Sequence, residues 1–139
     1  MKVAVIYAST TGNTEAMANA INEAFKASGA EVVFSSADSA DKAAVTACDV
    51  ILLGSPAMGD EVLDDSMEDF FTRIEASLKG KKVGIFGSYD WGDGQWLRDW
   101  TDRLNNAGAV SAAEALMVHL TPEEADVEQC KAWAVSAIK

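Results

Sequence analysis

A run of short polar side chains follows the first apolar segment of the chain and leads directly into an amphipathic one. The run is Ser9–Thr14, and five of its six residues carry a hydroxyl or an amide, Gly12 being the exception. Gly12 permits a tight turn, and a helix beginning here presents unpaired N–H groups and the positive end of its dipole. These features indicate a loop for a phosphate monoester. A cluster of polar residues that only caps the helix is the alternative.

The same loop excludes two common kinds of nucleotide site. It contains no Lys or Arg, whereas the triphosphate P-loop ends in Gly-Lys-Ser/Thr, and it lacks the Gly-x-Gly-x-x-Gly dinucleotide pattern. The hydrogen-bond donors of this loop are therefore uncharged hydroxyl, amide and backbone N–H groups. Its individual members are Ser9, Thr10, Thr11, Gly12, Asn13 and Thr14.

Two later loops each combine a large flat or polarizable side chain with a glycine. Met58 precedes Gly59 in one, and Trp91 precedes Gly92 in the other. A planar ring can bind between Met58 and Trp91, because both offer broad apolar contact and glycine lets the backbone approach closely. The alternative is that both side chains pack back onto the core. The candidate residues of the two loops are Ser55, Pro56, Ala57, Met58, Gly59, Asp60, Glu61, Ser88, Tyr89, Asp90, Trp91 and Gly92.

The segments between the loops alternate between short apolar runs and stretches of helical period. Strands are predicted at residues 2–8, 31–35, 49–54 and 82–87, with a fifth within 110–120. Helices are predicted at 13–28, at 40–47, from Ser66 to residue 78, across 96–104, and from a capping box of Thr121 and Glu124 onwards.

Five units of strand and helix, with strands apolar on both faces, predict an α/β fold in which helices cover both faces of a parallel sheet. In such sheets ligands bind beyond the carboxyl ends of the strands. The three polar loops follow the first, third and fourth strands, so we expect them at one edge. The 139 residues predict one domain, residues 1–139.

The balance of charge restricts the class of partner. Twenty-two Asp and Glu against 11 Lys and Arg give a net charge of −11, which argues against nucleic acid and anionic membranes and favours basic partners. The first apolar run is too short for a signal peptide and no run is long enough to span a bilayer, so we expect a cytoplasmic protein. Two cysteines and one histidine suggest neither a metal site nor a disulfide framework.

Three motifs together resemble those of the flavodoxins. They are Ser/Thr-x-Thr-Gly-x-Thr at 9–14, Ala-Met-Gly-Asp-Glu at 57–61 and Gly-Ser-Tyr-x-Trp-Gly at 87–92. The likeness covers the whole chain and is closest to the short-chain, clostridial-like Met-Gly subgroup. It implies a flavodoxin-like three-layer sandwich with five parallel strands in the order 2-1-3-4-5.

The resemblance also implies a function. A flavodoxin is a low-potential one-electron carrier that binds FMN noncovalently and cycles between semiquinone and hydroquinone. It is not an enzyme with its own substrate. The implied partners are redox enzymes with basic docking surfaces, such as reductases and ferredoxin-dependent enzymes, and the implied state is a monomer. A small FMN-dependent quinone or nitro reductase is the alternative, although we find no spare segment for a nicotinamide site.

Carried over by position, the resemblance assigns residue roles. Ser9–Thr14 would hold the FMN phosphate, and Met58 and Trp91 would cover the two faces of the isoalloxazine. Glu61 would accept a hydrogen bond from flavin N3–H, and the backbone of 89–92 would serve the pyrimidine end. Pro56 and Asp90 depart from residues that relatives use, a serine hydroxyl and a glycine. His119 is expected to be structural.

Two further hypotheses concern the redox potential of the flavin. The peptide between Gly59 and Asp60 can flip at low conformational cost, which would turn the Gly59 carbonyl toward flavin N5 upon reduction. Residues 60–69 and 90–102 contain ten of the 22 acidic residues. Their field would oppose a second negative charge on the flavin and would attract basic partners.

Overall fold

Strand β1 (Lys2–Tyr7) lies between two parallel neighbours in the computed structural model, which describes residues 1–59 and 61–139. The sheet order is β2-β1-β3-β4-β5, with β6 also paired to β4, and all of these pairs are parallel. The predicted order is therefore confirmed. The other strands are β2 (Glu31–Ser36), β3 (Val50–Gly54), β4 (Lys82–Tyr89), β5 (Val110–Ser111) and β6 (Leu116–His119).

Helices cover both faces of this sheet, as predicted. Because side chains alternate along a strand, Val3 and Val5 face one apolar cluster, whereas Ala4 and Ile6 face the other. Helices α1 and α5 pack in the first cluster, and α3 and α4 in the second. The described helices are α1 (Asn13–Ser28), α2 (Lys42–Thr46), α3 (Asp65–Ile74), α4 (Gln95–Asn106) and α5 (Glu124–Ala137).

The strand predicted within residues 110–120 is interrupted. Val83 of β4 pairs with Ser111, and Phe86 pairs with Leu116. Between these two pairs, the segment at the edge of the sheet advances by five residues while β4 advances by three. The two extra residues leave the ladder, and pairing resumes in β6. Strand β6 then continues to His119, which pairs with Tyr89. The end of β6 is thereby brought to the edge of the sheet that carries the polar loops.

Two helices begin at residues other than those predicted. The N-cap of α3 is Asp64, whose carboxylate accepts a hydrogen bond from the Ser66 backbone N–H at 2.9 Å, so Ser66 lies inside the helix. The capping box of α5 is formed by Glu123 and Asp126 rather than by Thr121 and Glu124. The Thr121 hydroxyl makes a different hydrogen bond, which is described below.

Helices α3 and α4 are joined by a bidentate ion pair. The Arg103 guanidinium donates to both carboxylate oxygens of Glu68, at 2.7 and 2.9 Å, and lies 4.8 Å from the centre of the Phe71 ring. The hydrogen bonds from Arg103 hold the pKa of the Glu68 carboxyl below its usual value. This contact fixes α4, and hence the loop that leads into it, against α3.

Gly87 of β4 lies against the backbone of the neighbouring loop. A Cβ at this position would overlap the carbonyl oxygen of Ser55, which also accepts the Trp96 indole N–H at 3.0 Å. At Gly84, three residues earlier on the same strand, the nearest atom to a new Cβ is the Leu52 Cδ2 at 2.8 Å. A side-chain methyl can move aside, whereas a hydrogen-bonded carbonyl cannot.

We therefore predict that Gly87→Ala lowers the free energy of unfolding by about 3 kcal/mol, the upper end for overpacking a core. Gly84→Ala, the matched control in the same strand, should cost clearly less. Urea denaturation of both variants measures the difference. Equal losses would contradict the close contact between β4 and the Ser55 carbonyl.

Candidate cofactor site

The three polar loops lie at one edge of the sheet, as the parallel order requires. Backbone hydrogen bonds continue the ladder past the strand ends: the Ala8 N–H donates to the Gly54 carbonyl at 2.9 Å, and the Ala57 N–H donates to the Ser88 carbonyl at 3.0 Å. The loops after β1, β3 and β4 are thus joined through their main chains. Sequence reasoning placed them together correctly.

The loop after β1 presents unpaired donors at the start of α1. Gly12 is the N-cap with φ of +91°, a left-handed conformation that favours glycine. The Ser9 hydroxyl accepts from the Gly12 and Glu15 N–H groups at 3.1 and 3.3 Å. Within residues 1–59 and 61–139, the remaining N–H groups of the loop and first turn make no hydrogen bond to the protein; they belong to Thr10, Thr11, Asn13 and Thr14.

Thr14 has a different role for its side chain. The side chain is fully buried, and its hydroxyl shares a 2.9 Å hydrogen bond with the hydroxyl of Ser88, which is also buried. This bond joins the first turn of α1 to the end of β4. The backbone N–H of Thr14 has no partner among the described residues, while the two hydroxyls hold residues 9–14, which we call the phosphate loop, against the loop that contains Trp91.

Ser55 also uses its polar groups inside the protein. Its hydroxyl donates to the Pro56 carbonyl and accepts from the Asp64 N–H, both at 3.0 Å, and the residue is buried. Pro56 is buried as well, whereas Ala57 and Met58 are half-buried. The loop after β3 is thereby anchored at its base and opens toward solvent at Met58.

The tip of this loop is a tight turn closed by a two-residue antiparallel bridge. Met58 and Val62 exchange backbone hydrogen bonds of 2.8 and 2.9 Å. Gly59 and Glu61 have φ of +48° and +57°. Asp60 lies outside the described residues, so the predicted flip of the Gly59–Asp60 peptide stays a prediction.

Glu61 connects two loops through its carboxylate. Its Oε1 accepts from the backbone N–H groups of Gly94 and Gln95, at 3.1 and 2.9 Å. Helix α4 begins at Gln95 and its N-cap is a glycine, so Glu61 supplies the cap that the local sequence lacks. A side chain at Gly92 would overlap this carboxylate, which explains the glycine there. The predicted hydrogen bond to flavin N3–H would fall to Oε2.

Two aromatic residues at the end of β4 differ in their packing: Tyr89, the last residue of the strand, is packed, and Trp91, in the loop that follows, is exposed. Tyr89 packs on Trp96 and His119, with ring centroids 5.8 and 4.9 Å away. Trp91 is 60% exposed, and Asp90 and Gly92 are also exposed. The alternative in which Trp91 packs onto the core is therefore wrong for this side chain, which leaves its ring face available to a ligand.

A polar cavity of about 720 Å³ adjoins the phosphate loop. Ser9 and Thr10 form part of its wall, and five carboxylate residues line it as well: Glu15, Asp38, Asp64, Asp65 and Asp69. Asp38 follows β2 and was not among the predicted site residues. Its position is explained by the sheet order, because the carboxyl end of β2 lies next to that of β1. A second cavity of about 360 Å³ is mainly apolar and lies beneath α4 and the β5–β6 edge.

Sequence reasoning also missed the contacts made by the end of β6 and the two residues after it. His119 lies with its Nε2 2.9 Å from the Asp90 carbonyl oxygen, and the Leu120 N–H donates to the Tyr89 carbonyl at 2.8 Å. The Thr121 hydroxyl donates to Asn13 Oδ1 at 3.1 Å. The available signal was the end of the fifth strand, which shares the functional edge with the other strands.

The part of the chain that the structure describes shows neither a metal site nor a membrane-spanning helix. No group of three or more His, Cys, Asp or Glu side chains is arranged to hold a metal ion there. None of the helices in residues 1–59 and 61–139 is long and apolar enough to cross a membrane. Cys48 and Cys130 are free and buried, and burial raises the pKa of the Cys130 thiol to about 11.

The donor set fits the phosphate of FMN. Unpaired neutral N–H groups surround the start of α1, a serine hydroxyl orders the loop, and Met58 and Trp91 lie on the two loops beside it. A doubly wound α/β domain with these groups at its switch point belongs to the class of proteins that bind a phosphorylated planar cofactor.

Comparison with known proteins identifies the family within that class. The flavodoxin family model matches residues 5–133. The flavodoxin of Megasphaera elsdenii is 47% identical over 99% of this chain and 98% of its own, and that of Clostridium beijerinckii is 42% identical over 88% and 89%. The chain belongs to the flavodoxin family.

Solved structures agree with this membership. The two-electron reduced flavodoxin of Megasphaera elsdenii superposes with a TM-score of 0.87 at 46% identity, over 99% of this chain and 98% of that one. Oxidised flavodoxin 1 of Bacillus cereus gives 0.88 at 32% identity, over 99% and 97%. The predicted fold, the cofactor FMN and the electron-carrying rather than enzymatic function are confirmed.

We predict that Glu61→Ala lowers the free energy of unfolding by about 1 kcal/mol, because α4 loses its N-terminal cap. Flavin-free protein should be used, so that bound cofactor does not contribute to the measured stability. Glu128→Ala is the control, since Glu128 is exposed and makes no ion pair or hydrogen bond to a described residue. Equal stability of the two variants in urea would contradict the capping role.

Proposed function

We propose that residues 1–139 act as a single FMN-binding domain that carries one electron at a time, at low potential, between redox enzymes. The observation that carries the proposal is the loop of unpaired N–H groups at the start of α1, held beside the exposed Trp91 by the buried hydrogen bond of Thr14 to Ser88. When bound, FMN supplies a ring that accepts and releases electrons singly. The protein positions that ring and adjusts its potential.

The proposed residue roles follow from the available groups. The N–H groups of Thr10, Thr11, Asn13 and Thr14, with the Ser9 hydroxyl nearby, bind the phosphate. Met58 and Trp91 cover the faces of the ring. The free oxygen of Glu61 and the backbone of 89–92 bind the polar end. Ser55 and Pro56 hold the base of the middle loop, and Gly59 lies near its tip.

Charge is distributed unevenly between the two ends of the strands. Acidic residues follow β2, β3 and β4, whereas the opposite end has Lys2, Lys79, Lys81 and Lys82 together with the two acids Glu31 and Asp49. The carboxylates beside the ring disfavour further negative charge there, which lowers the potential of the second electron. The same asymmetry turns the cofactor end toward positively charged surfaces.

The proposal includes partners, location and subgroup. Basic reductases and ferredoxin-dependent enzymes are the partners that the acidic end fits, and the protein acts as a monomer. The two free thiols agree with a reducing compartment, so the proposed location is the cytoplasm. The Met-Gly pair at 58 and 59 supports the short-chain, clostridial-like subgroup.

We predict that the purified protein binds one FMN per chain and is reduced in two separate one-electron steps. Trp91→Ala should weaken FMN binding about fivefold or more, because an aromatic contact on the ring is lost. Trp91→Phe, which keeps a ring, should weaken it less. Fluorescence titration and an anaerobic redox titration measure these quantities. Failure to bind FMN, or steady oxidation of NAD(P)H with a quinone, would contradict the electron-carrier proposal.

A second prediction concerns the acidic end. The triple variant Asp65→Asn, Asp69→Asn, Asp90→Asn should raise the lower potential by on the order of 50 mV. It should also slow electron transfer to a cationic oxidant, hexaammineruthenium(III), and speed transfer to ferricyanide. The control carries the same change in net charge at exposed acids elsewhere: Glu31→Gln, Glu114→Gln and Glu128→Gln. Equal effects of the two variants would contradict a specific electrostatic role for the acidic residues beside the ring.

A further inference from the structure

The last residue of β6 and the two residues that follow it contact two of the three cofactor loops at once. His119 and Leu120 bond to the backbone of Asp90 and Tyr89, and Thr121 bonds to the side chain of Asn13. We call His119–Thr121 the edge segment. Its contacts run to the loop that carries Trp91 and to the loop that begins α1, so it spans the gap between the ring and phosphate ends of the proposed site.

The hydrogen bond from Thr121 is made with the Asn13 amide in one particular orientation. An asparagine side chain has one carbonyl oxygen that accepts and one NH₂ group that donates. The Thr121 hydroxyl donates to the oxygen, Oδ1, at 3.1 Å, which leaves the NH₂ group as the face turned to other partners. In the opposite orientation Asn13 would present an acceptor beside the phosphate loop. An anion binds donors and is repelled by acceptors, so only the first orientation favours phosphate.

The contacts at the other end of the segment act on the backbone of the ring loop. The His119 Nε2 lies 2.9 Å from the Asp90 carbonyl oxygen, and the His119 ring packs on Tyr89. Leu120 adopts φ of +61°, a conformation that is costly for leucine, while its N–H donates to the Tyr89 carbonyl at 2.8 Å. These contacts hold residues 89 and 90, directly before the exposed Trp91.

We propose that the edge segment is a positioning element of the cofactor site. Thr121 orients Asn13 as a donor toward the phosphate, and His119 fixes the backbone that carries Trp91 against the ring. Neither residue needs to touch the cofactor, since each acts through a neighbour. The inference rests on the proposed function, because it assumes that the phosphate and ring of FMN occupy these loops.

The two arms of the segment act on different parts of the ligand, which makes them separable. Thr121→Val removes the hydroxyl and keeps the shape. It should weaken FMN binding about two- to tenfold, the usual effect of one hydrogen bond. Binding of riboflavin, which has no phosphate, should be unchanged. Thr121→Ser, which retains the hydroxyl, should restore the wild-type ratio of FMN to riboflavin affinity.

His119→Phe keeps a ring against Tyr89 and loses the contact with the Asp90 carbonyl. It should weaken FMN and riboflavin by the same factor, so that the ratio of their affinities stays at the wild-type value. Thermal unfolding of each flavin-free variant separates these effects from loss of folding. A general structural role for the segment would change the stability without the ligand-specific pattern.

A readout without flavin completes the test. In nitrogen-15 NMR spectra of the flavin-free protein, inorganic phosphate should shift the Asn13 side-chain NH₂ signals in the wild type and Thr121→Ser, but much less in Thr121→Val. An unchanged FMN to riboflavin ratio in Thr121→Val, with wild-type phosphate shifts, would overturn the inference. Failure of the wild type itself to bind FMN would instead overturn the proposed function, so the two failures are distinguishable.

Discussion

The buried hydrogen bond between the Thr14 and Ser88 hydroxyls is the contact on which the rest of the site depends. It joins the first turn of α1 to the end of β4 at 2.9 Å, with both side chains shielded from solvent. Loss of the Thr14 hydroxyl would leave the Ser88 hydroxyl buried without a hydrogen bond, which costs more than the bond itself contributes. This hydrogen bond therefore ties the phosphate loop to the loop that carries Trp91.

Other contacts extend this arrangement to the middle loop. The Trp96 indole donates to the Ser55 carbonyl, Gly87 allows β4 to approach that carbonyl, and Glu61 reaches across to cap α4. Each of these contacts joins elements that are distant in sequence. In the proposed function, these anchored loop bases leave Met58 and Trp91 to contact the ring, while the acidic residues around them supply the electrostatic field. Positioning of the ring and adjustment of its potential would thus fall to different groups.

The sequence predicted the features that follow from local patterns. The period of the apolar residues gave the strands and most helix bounds, and the polar loop at Ser9–Thr14 was recognisable because its residue types and helix start occur together. The features it missed arise from pairing between distant segments. The two-residue excess that splits the fifth strand has no local signature, and the roles of Glu61 and Thr121 depend on the Gly94 and Asn13 groups that the fold brings near them. Thr121 was predicted as a helix cap because its local motif favours one. Its hydroxyl instead donates to Asn13, which is distant in sequence.

The central claim is that one edge of the sheet binds both the phosphate and the ring of the cofactor. Amide chemical-shift mapping of the flavin-free protein during titration with FMN tests it most directly. The account predicts that the largest shifts fall on residues 9–14, 55–59 and 88–92 together, at a single binding constant, and that inorganic phosphate alone perturbs mainly 9–14. Shifts centred instead on the apolar cavity beneath α4 and the β5–β6 edge, or distributed over the whole sheet as in folding upon binding, would contradict it.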